Sequence, residues 1–244
     1  MLARVFAAGL LVGAAWLVYD FASSSRYQVH TVHVDGNLLL SRAEVEDAAA
    51  VVGANIFWVN RADVSTRLSA LPLVQHVEIT ARLPDTVDIH IVERQPAGFW
   101  TSGDQTFLVD REGVILKAVD AETAQIRACA GQPCDPGAVA LPSVAQADAE
   151  ALTPGDHVDA NALVTSARLA SLLPGVGVQP VGFQWSSDTG LDVAMADGWT
   201  ARFDQASNLE QQVWALGAVR GELTRRQTAA GLIDVRFGDR PYFR

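Results

Sequence analysis

The sequence predicts an α+β protein, with a single N-terminal transmembrane helix, a β-α-α-β-β unit, and then a mixed β domain with two helices. Three observations lead there. An uncharged run of fifteen residues, Val5 to Tyr19, follows Arg4. Between Tyr27 and Arg94, strand and helix periodicities follow one another in the order strand, helix, helix, strand, strand. Beyond Pro96, short alternating segments bounded by turn residues are interrupted by two helical stretches.

Composition sets the outer limits. The 244 residues are 49% apolar and 19% charged, enough to bury a core in one or two domains. Eighteen basic residues against twenty-eight acidic ones leave a charge of −10. That excludes a nucleic-acid partner, which needs clustered Lys and Arg to displace counterions. Two cysteines exclude a disulfide-framework mini-protein and a four-cysteine zinc site.

A bilayer span takes about 20 apolar residues across roughly 30 Å of hydrocarbon. The Val5–Tyr19 run is short of that, but Met1 to Ala3 lengthen it if Arg4 snorkels to the surface. Trp16 and Tyr19 lie near one end, and Arg4 and the α-amine mark the other as cytoplasmic. A cleaved signal peptide is the competing reading, because it also carries a short apolar stretch. Ala22-Ser23-Ser24 would suit its peptidase. Both readings put the chain beyond about Ser25 outside the cytoplasm.

Tyr27 and Val29, then Val32 and Val34, alternate with an offset of three, which predicts a strand with a bulge. Asp35-Gly36-Asn37 is a turn, and Ser41-x-x-Glu44 is a capping box that opens a helix through Val45, Ala49 and Val52. Asn60 caps a second helix, which Pro72 ends. Val74 to Thr80 and Val87 to Ile91 form a hairpin around Leu83-Pro84-Asp85.

After Pro96, strands are expected at 97–101, 106–109 and 114–117, and residues 118–158, rich in Ala, Asp, Gln and Pro, as a long loop. Asp159 caps a helix stopped by Pro174-Gly175. Strands follow at 178–185, 191–195 and 199–203, the last two joined by Asp197-Gly198. Ser207-x-x-Glu210 opens the last helix. The final strand, Leu232 to Phe237, presents Ile233, Val235 and Phe237 on one face and Asp234 and Arg236 on the other. Pro241 cannot donate to a ladder, so this segment is expected at a sheet edge, a site open to strand addition by a partner. Tyr242 and Phe243 follow as aromatic anchors for binding.

Catalytic patterns are missing. His30 and His33 fall on opposite faces of a strand, and His76, His90 and His157 have no carboxylate or Cys at ligand spacing. No G-x-S-x-G, S-x-x-K or H-E-x-x-H occurs, and Gly175-x-Gly177 precedes a strand rather than a helix. No enzyme activity, metal or cofactor is therefore expected. Cys129 and Cys134 enclose Ala-Gly-Gln-Pro, and either a disulfide staple or free thiols fits them. A redox pair would place two residues between them rather than four.

The motif Tyr27-x-Val29-x-x-Val32-x-Val34-x-Gly36-Asn37 is joined by Asn55-Ile56-Phe57, Leu71-Pro72-x-Val74, Arg82-Leu83-Pro84-Asp85-Thr86-Val87 and Val92-Glu93-Arg94-x-Pro96. Together these resemble the POTRA module of the bacterial cell-division family FtsQ/DivIB. Leu108-Val109-Asp110-x-x-Gly113-Val114-Ile115, Leu141-Pro142, Asp197-Gly198 and Asp234-Val235-Arg236-Phe237 are similar to that family's β domain.

The resemblance implies an anchor over 1–25, a POTRA domain over 26–95 and a β domain over 96–244, with an insertion at about 118–158. It implies an uncleaved, single-pass inner-membrane protein, with a cytoplasmic N-terminus and a periplasmic bulk, acting as a divisome scaffold in septation. FtsB/FtsL-like partners would add a strand at the C-terminal edge, and other division proteins would meet the POTRA domain. A POTRA-bearing translocation or envelope-assembly component is the alternative, although such proteins usually carry repeated POTRA units or a long barrel. An anchored envelope hydrolase would need a nucleophile or metal motif.

Overall fold

The first unit, Met1–Arg94, opens with helix α1 (Leu2–Ser23), whose only charges are Arg4 and Asp20. The computed structural model describes residues 2–120, 141–205, 208–237 and 240–244, the side chains of 2–5 and 22–23 excepted. Ser24 caps a short 3-10 turn at Ser25–Tyr27, and strand β1 runs over Thr31–Asp35. The sequence pattern starts this strand four residues too early. Val29 instead exchanges backbone hydrogen bonds with Gly53 and Ala54, both at 2.8 Å, so the apparent bulge is a change of partner.

Helix α2 (Arg42–Ala49) begins at a capping box. Ser41 Oγ accepts from the Glu44 N–H at 3.2 Å, and Glu44 accepts from the Ser41 N–H at 2.8 Å. Asn60 starts α3 (Arg61–Ser69) by accepting from the Ala62 N–H at 3.1 Å. Strands β2 (Val74–Arg82) and β3 (Thr86–Glu93) complete a sheet of order β1-β3-β2, with β1 parallel and β2 antiparallel to β3. Val32, Val87, Ile89 and Ile91 of the sheet and Val45, Ala49, Val64 and Leu68 of the helices are buried.

Two details lock the β1–α2 corner. Gly36 has φ +84°, and a Cβ there would stand 2.0 Å from the Ile91 carbonyl oxygen, so only glycine fits. Glu93, only 4% exposed, accepts hydrogen bonds from the N–H groups of Leu38, Leu39 and Leu40 at 2.9, 2.7 and 2.8 Å.

The second unit, Gln95–Arg244, is built on a nine-stranded sheet. Its strands are β4 (Pro96–Ser102), β5 (Gln105–Asp110), β6 (Ile115–Val119), β7 (Ser143–Gln146), β8 (Pro180–Ser186), β9 (Gly190–Met195), β10 (Thr200–Phe203), β11 (Leu232–Asp234) and β12 (Tyr242–Phe243). Their spatial order is β12-β11-β10-β9-β8-β7-β4-β5-β6. Helix α4 (Ala160–Leu172) connects the parallel pair β7 and β8, and α5 (Leu209–Arg225) connects the parallel pair β10 and β11. Asp159 caps α4 by accepting from the N–H groups of Asn161 and Ala162.

The expected loop at 118–158 is corrected in part. Ala118 and Val119 finish β6, and β7 lies near the middle of the sheet, pairing in parallel with both β4 and β8. Four residues with Val144 as the one large apolar side chain are too few to show a strand period, and parallel pairing depends on distant partners. Cys129 and Cys134 lie outside the described residues, as do Ser207 of the last capping box and the Gly238-Asp239 turn.

Strand register sorts the sheet into two faces. One row across it reads Phe107, Trp100, Val144, Phe183, Val193, Ala201, Ile233 and Phe243. The row one residue over reads Thr106, Thr101, Ala145, Gln184, Asp192, Arg202, Asp234 and Tyr242. Leu163, Leu169, Leu209, Val213 and Leu216 of α4 and α5 share a buried cluster with most of the first row. The second row is polar, as alternation demands of a sheet covered on one face.

Candidate functional site

The sheet edge expected at the C-terminus is formed by a different segment. Leu232 to Phe237 is not the edge strand. Only Leu232–Asp234 is a strand, and it lies between β10 and β12. The Val235 N–H still reaches the Arg202 carbonyl at 3.0 Å, after which Arg236 and Phe237 turn away from the sheet. The chain then doubles back, and Tyr242 and Phe243 become the outermost strand. Pro241 sits just before the first pair of that strand, where its missing donor disturbs no ladder bond. The proline clue was sound about an edge and wrong about which segment forms it.

Among the described residues, the geometry of β12 leaves backbone groups open. Arg244 donates to the Leu232 carbonyl at 3.1 Å and accepts from the Leu232 N–H at 3.1 Å and the Gly231 N–H at 2.8 Å. Backbone groups alternate sides along a strand, so the N–H and C=O of Phe243 point outward. Its side chain ends the apolar row beside Ile233 and is 48% exposed. Tyr242, 59% exposed, ends the polar row beside Asp234.

The predicted residues divide by role. Ile233, Asp234 and Val235 are buried, Leu232 and Arg236 are half-buried, and Phe237, Tyr242 and Phe243 are exposed. Arg236 grips the Asp234 carboxylate through Nε at 3.0 and 3.1 Å and a terminal nitrogen at 2.7 Å. It also donates to the Thr189 carbonyl at 3.1 Å, and its guanidinium lies 5.3 Å from the centre of the Phe237 ring. Burial alone would push the Asp234 carboxyl up, but hydrogen bonds from Arg236 and the charges of Arg236 and Arg202 hold it below the usual range. The Arg236 guanidinium is held above its ordinary value by its hydrogen bonds to Asp234.

Sequence reasoning missed two members of this arrangement. Arg202 makes a two-point pair with Asp192, at 2.7 and 2.8 Å, and stands next to Asp234 in the same row. An open cleft of about 330 Å³ beside the edge is lined by Asp192, Thr200, Arg202, Gly231, Leu232 and Arg244. Asp192 and Arg202 are the polar members of two alternating strands, so their facing side was legible, but not that β11 pairs beside β10 and brings Asp234 into the same row. Among the described residues no His, Cys, Asp and Glu cluster could hold a metal ion, and no helix is long and apolar enough to cross a membrane.

The β-α-α-β-β unit with its Gly36 turn and Glu93 clasp, followed by a mixed sheet, defines a POTRA-bearing protein with a second, β-rich domain. Residues 28–94 match the family described as "POTRA domain, FtsQ-type". Cell division protein FtsQ of Chloroflexus aurantiacus is 29% identical over 214 residues, which span 87% of this chain and 74% of that protein. FtsQ of Mycobacteroides abscessus is 26% identical over 220 residues, spanning 90% of this chain and 63% of that protein. Cell division protein DivIB of Clostridium acetobutylicum is 29% identical over 92 residues, 37% of each chain. Over most of its length the chain is similar to cell-division proteins of the FtsQ/DivIB family, and residues 28–94 carry the FtsQ-type POTRA domain.

Proposed function

We propose that this protein is a non-enzymatic scaffold of bacterial septation, held in the inner membrane by α1 and docking FtsB/FtsL-like partners at the β12 edge. The open edge carries the proposal: outward backbone groups at Phe243 and a half-exposed aromatic at the end of a buried row. A strand added there would gain ladder hydrogen bonds and cover Phe243, while the polar cleft beside it would receive side chains from the strand's other face. The POTRA domain is assigned to contacts with other division proteins.

The described residues of α1 are not by themselves long and apolar enough to cross a membrane, and the anchor reading is drawn from the surface the helix exposes. Phe6, Leu10, Leu11, Val12, Trp16, Leu17 and Val18 are all exposed, an apolar surface too large to leave in water. Arg4 and the α-amine are assigned to the cytoplasmic side. The docking site is tested with the full chain in detergent and a peptide of an FtsB-like partner. Ending the chain after Gly238, or replacing Tyr242 and Phe243 by Ala, should weaken binding by more than about 2 kcal/mol, roughly 30-fold. Unchanged affinity in both variants places the docking site elsewhere.

A further inference from the structure

We infer that the Asn55–Trp58 turn of the POTRA domain is a lipid-contacting element that seats this domain on the bilayer surface. The inference rests on the reading of α1 as a membrane anchor and concerns a different part of the chain. Three observations within the first unit carry it.

The first is an aromatic bridge between helix and domain. The Phe21 ring, near the end of α1, stacks on Tyr27 with centroids 5.0 Å apart and meets Phe57 edge-on at 5.9 Å. Tyr27 and Phe57 are themselves 5.2 Å apart. The second is a polar clamp: the Asn55 side-chain amide donates to the Phe21 carbonyl at 3.0 Å, while its oxygen accepts from the Phe57 N–H at 3.0 Å. The turn is therefore held against the end of α1, with Ile56 buried below it. The third is exposure. Trp58 is 72% exposed and Phe57 47%.

On the anchor reading, charge converts this geometry into a position. Asp20 is the first charged residue after the apolar run of α1, and a carboxylate is costly inside hydrocarbon, so Phe21 beside it lies at the hydrocarbon–headgroup boundary. A ring 5.9 Å from Phe21 lies within that interfacial layer too. Trp is the residue type that prefers this layer, its ring in the acyl boundary and its N–H in the wet headgroups. Trp58 thus continues on the domain the belt that Trp16 and Tyr19 begin on the helix.

The test uses the full chain reconstituted in phosphatidylethanolamine/phosphatidylglycerol vesicles, with Cys129 and Cys134 replaced by Ser. A nitroxide is attached in separate samples at Trp58→Cys, Leu10→Cys and Glu78→Cys, all exposed positions, so labelling leaves the fold intact. Collision of each label with oxygen, which concentrates in lipid, is compared with collision with a water-soluble nickel chelate. The label at 58 should show an oxygen-to-nickel ratio several-fold above that at 78 and below that at 10. A label at 10 that is lipid-exposed with one at 58 as wet as that at 78 overturns the inference while the anchor stands. It would also be the outcome if Trp58 were reserved for a protein partner. A wet label at 10 overturns the anchor and this inference together.

Discussion

Glu93 and Asp234 are both the last residue of a strand, and both are almost fully buried, at 4% and 6% exposure. Their charges are met differently. Glu93 is bound by three backbone N–H groups of one loop, whereas Asp234 is bound by the guanidinium of Arg236, with Arg202 beside it. The Leu40 N–H is buried and the Leu38 and Leu39 N–H groups are partly so, and Glu93 gathers all three as a lock that closes the POTRA unit. A half-buried arginine can turn to water or to a visiting chain, so Asp234 orders a surface next to the open edge. One buried carboxylate is held by backbone donors, the other by a side chain that itself reaches the surface.

The largest effect should come from breaking the lock. Glu93→Ala orphans three N–H groups and should lower the stability of the POTRA unit by about 3 kcal/mol. Hydrogen exchange should show faster exchange concentrated at residues 36–41. A loss spread evenly over both units would erase the contrast.

Asp234→Ala should cost less, about 1–2 kcal/mol, because Arg236 regains solvent. The pH dependence sharpens this. The Asp234 carboxyl is held below its ordinary value in the fold, so its contribution is complete above the unfolded pKa of about 3.9. It is lost as the pH falls from there through the lowered folded value. Denaturation curves of the native protein and Asp234→Asn should keep a constant gap at neutral pH and converge below about pH 4.

The smallest effect on stability belongs to the edge. Phe243→Ala should change unfolding by under about 0.5 kcal/mol, as expected of an exposed position. It should still weaken the binding of an FtsB-like segment. A stability loss as large as that of Asp234→Ala would mean that Phe243 belongs to the core rather than to a docking surface.

Local chemistry made much of this protein readable from its residues. The caps at Ser41, Asn60 and Asp159 act over two or three positions, and each starts its helix where the sequence places it. The polar and apolar faces of β9, β10 and β11 follow from period-two alternation. The Glu93 clasp was visible only as a motif residue, because its donors lie more than fifty positions away.

What the amino-acid order determined by itself was therefore the type of most elements, β7 and β12 excepted, their inward faces and the family motifs that run along them. Which strands are neighbours was decided only in three dimensions. β7 enters the sheet between β4 and β8, and Tyr242–Phe243 displaces Leu232–Asp234 from the edge, through pairings that no local period encodes. Strand order is settled by competition among backbone groups distant in sequence, and that competition is resolved only when the whole sheet assembles.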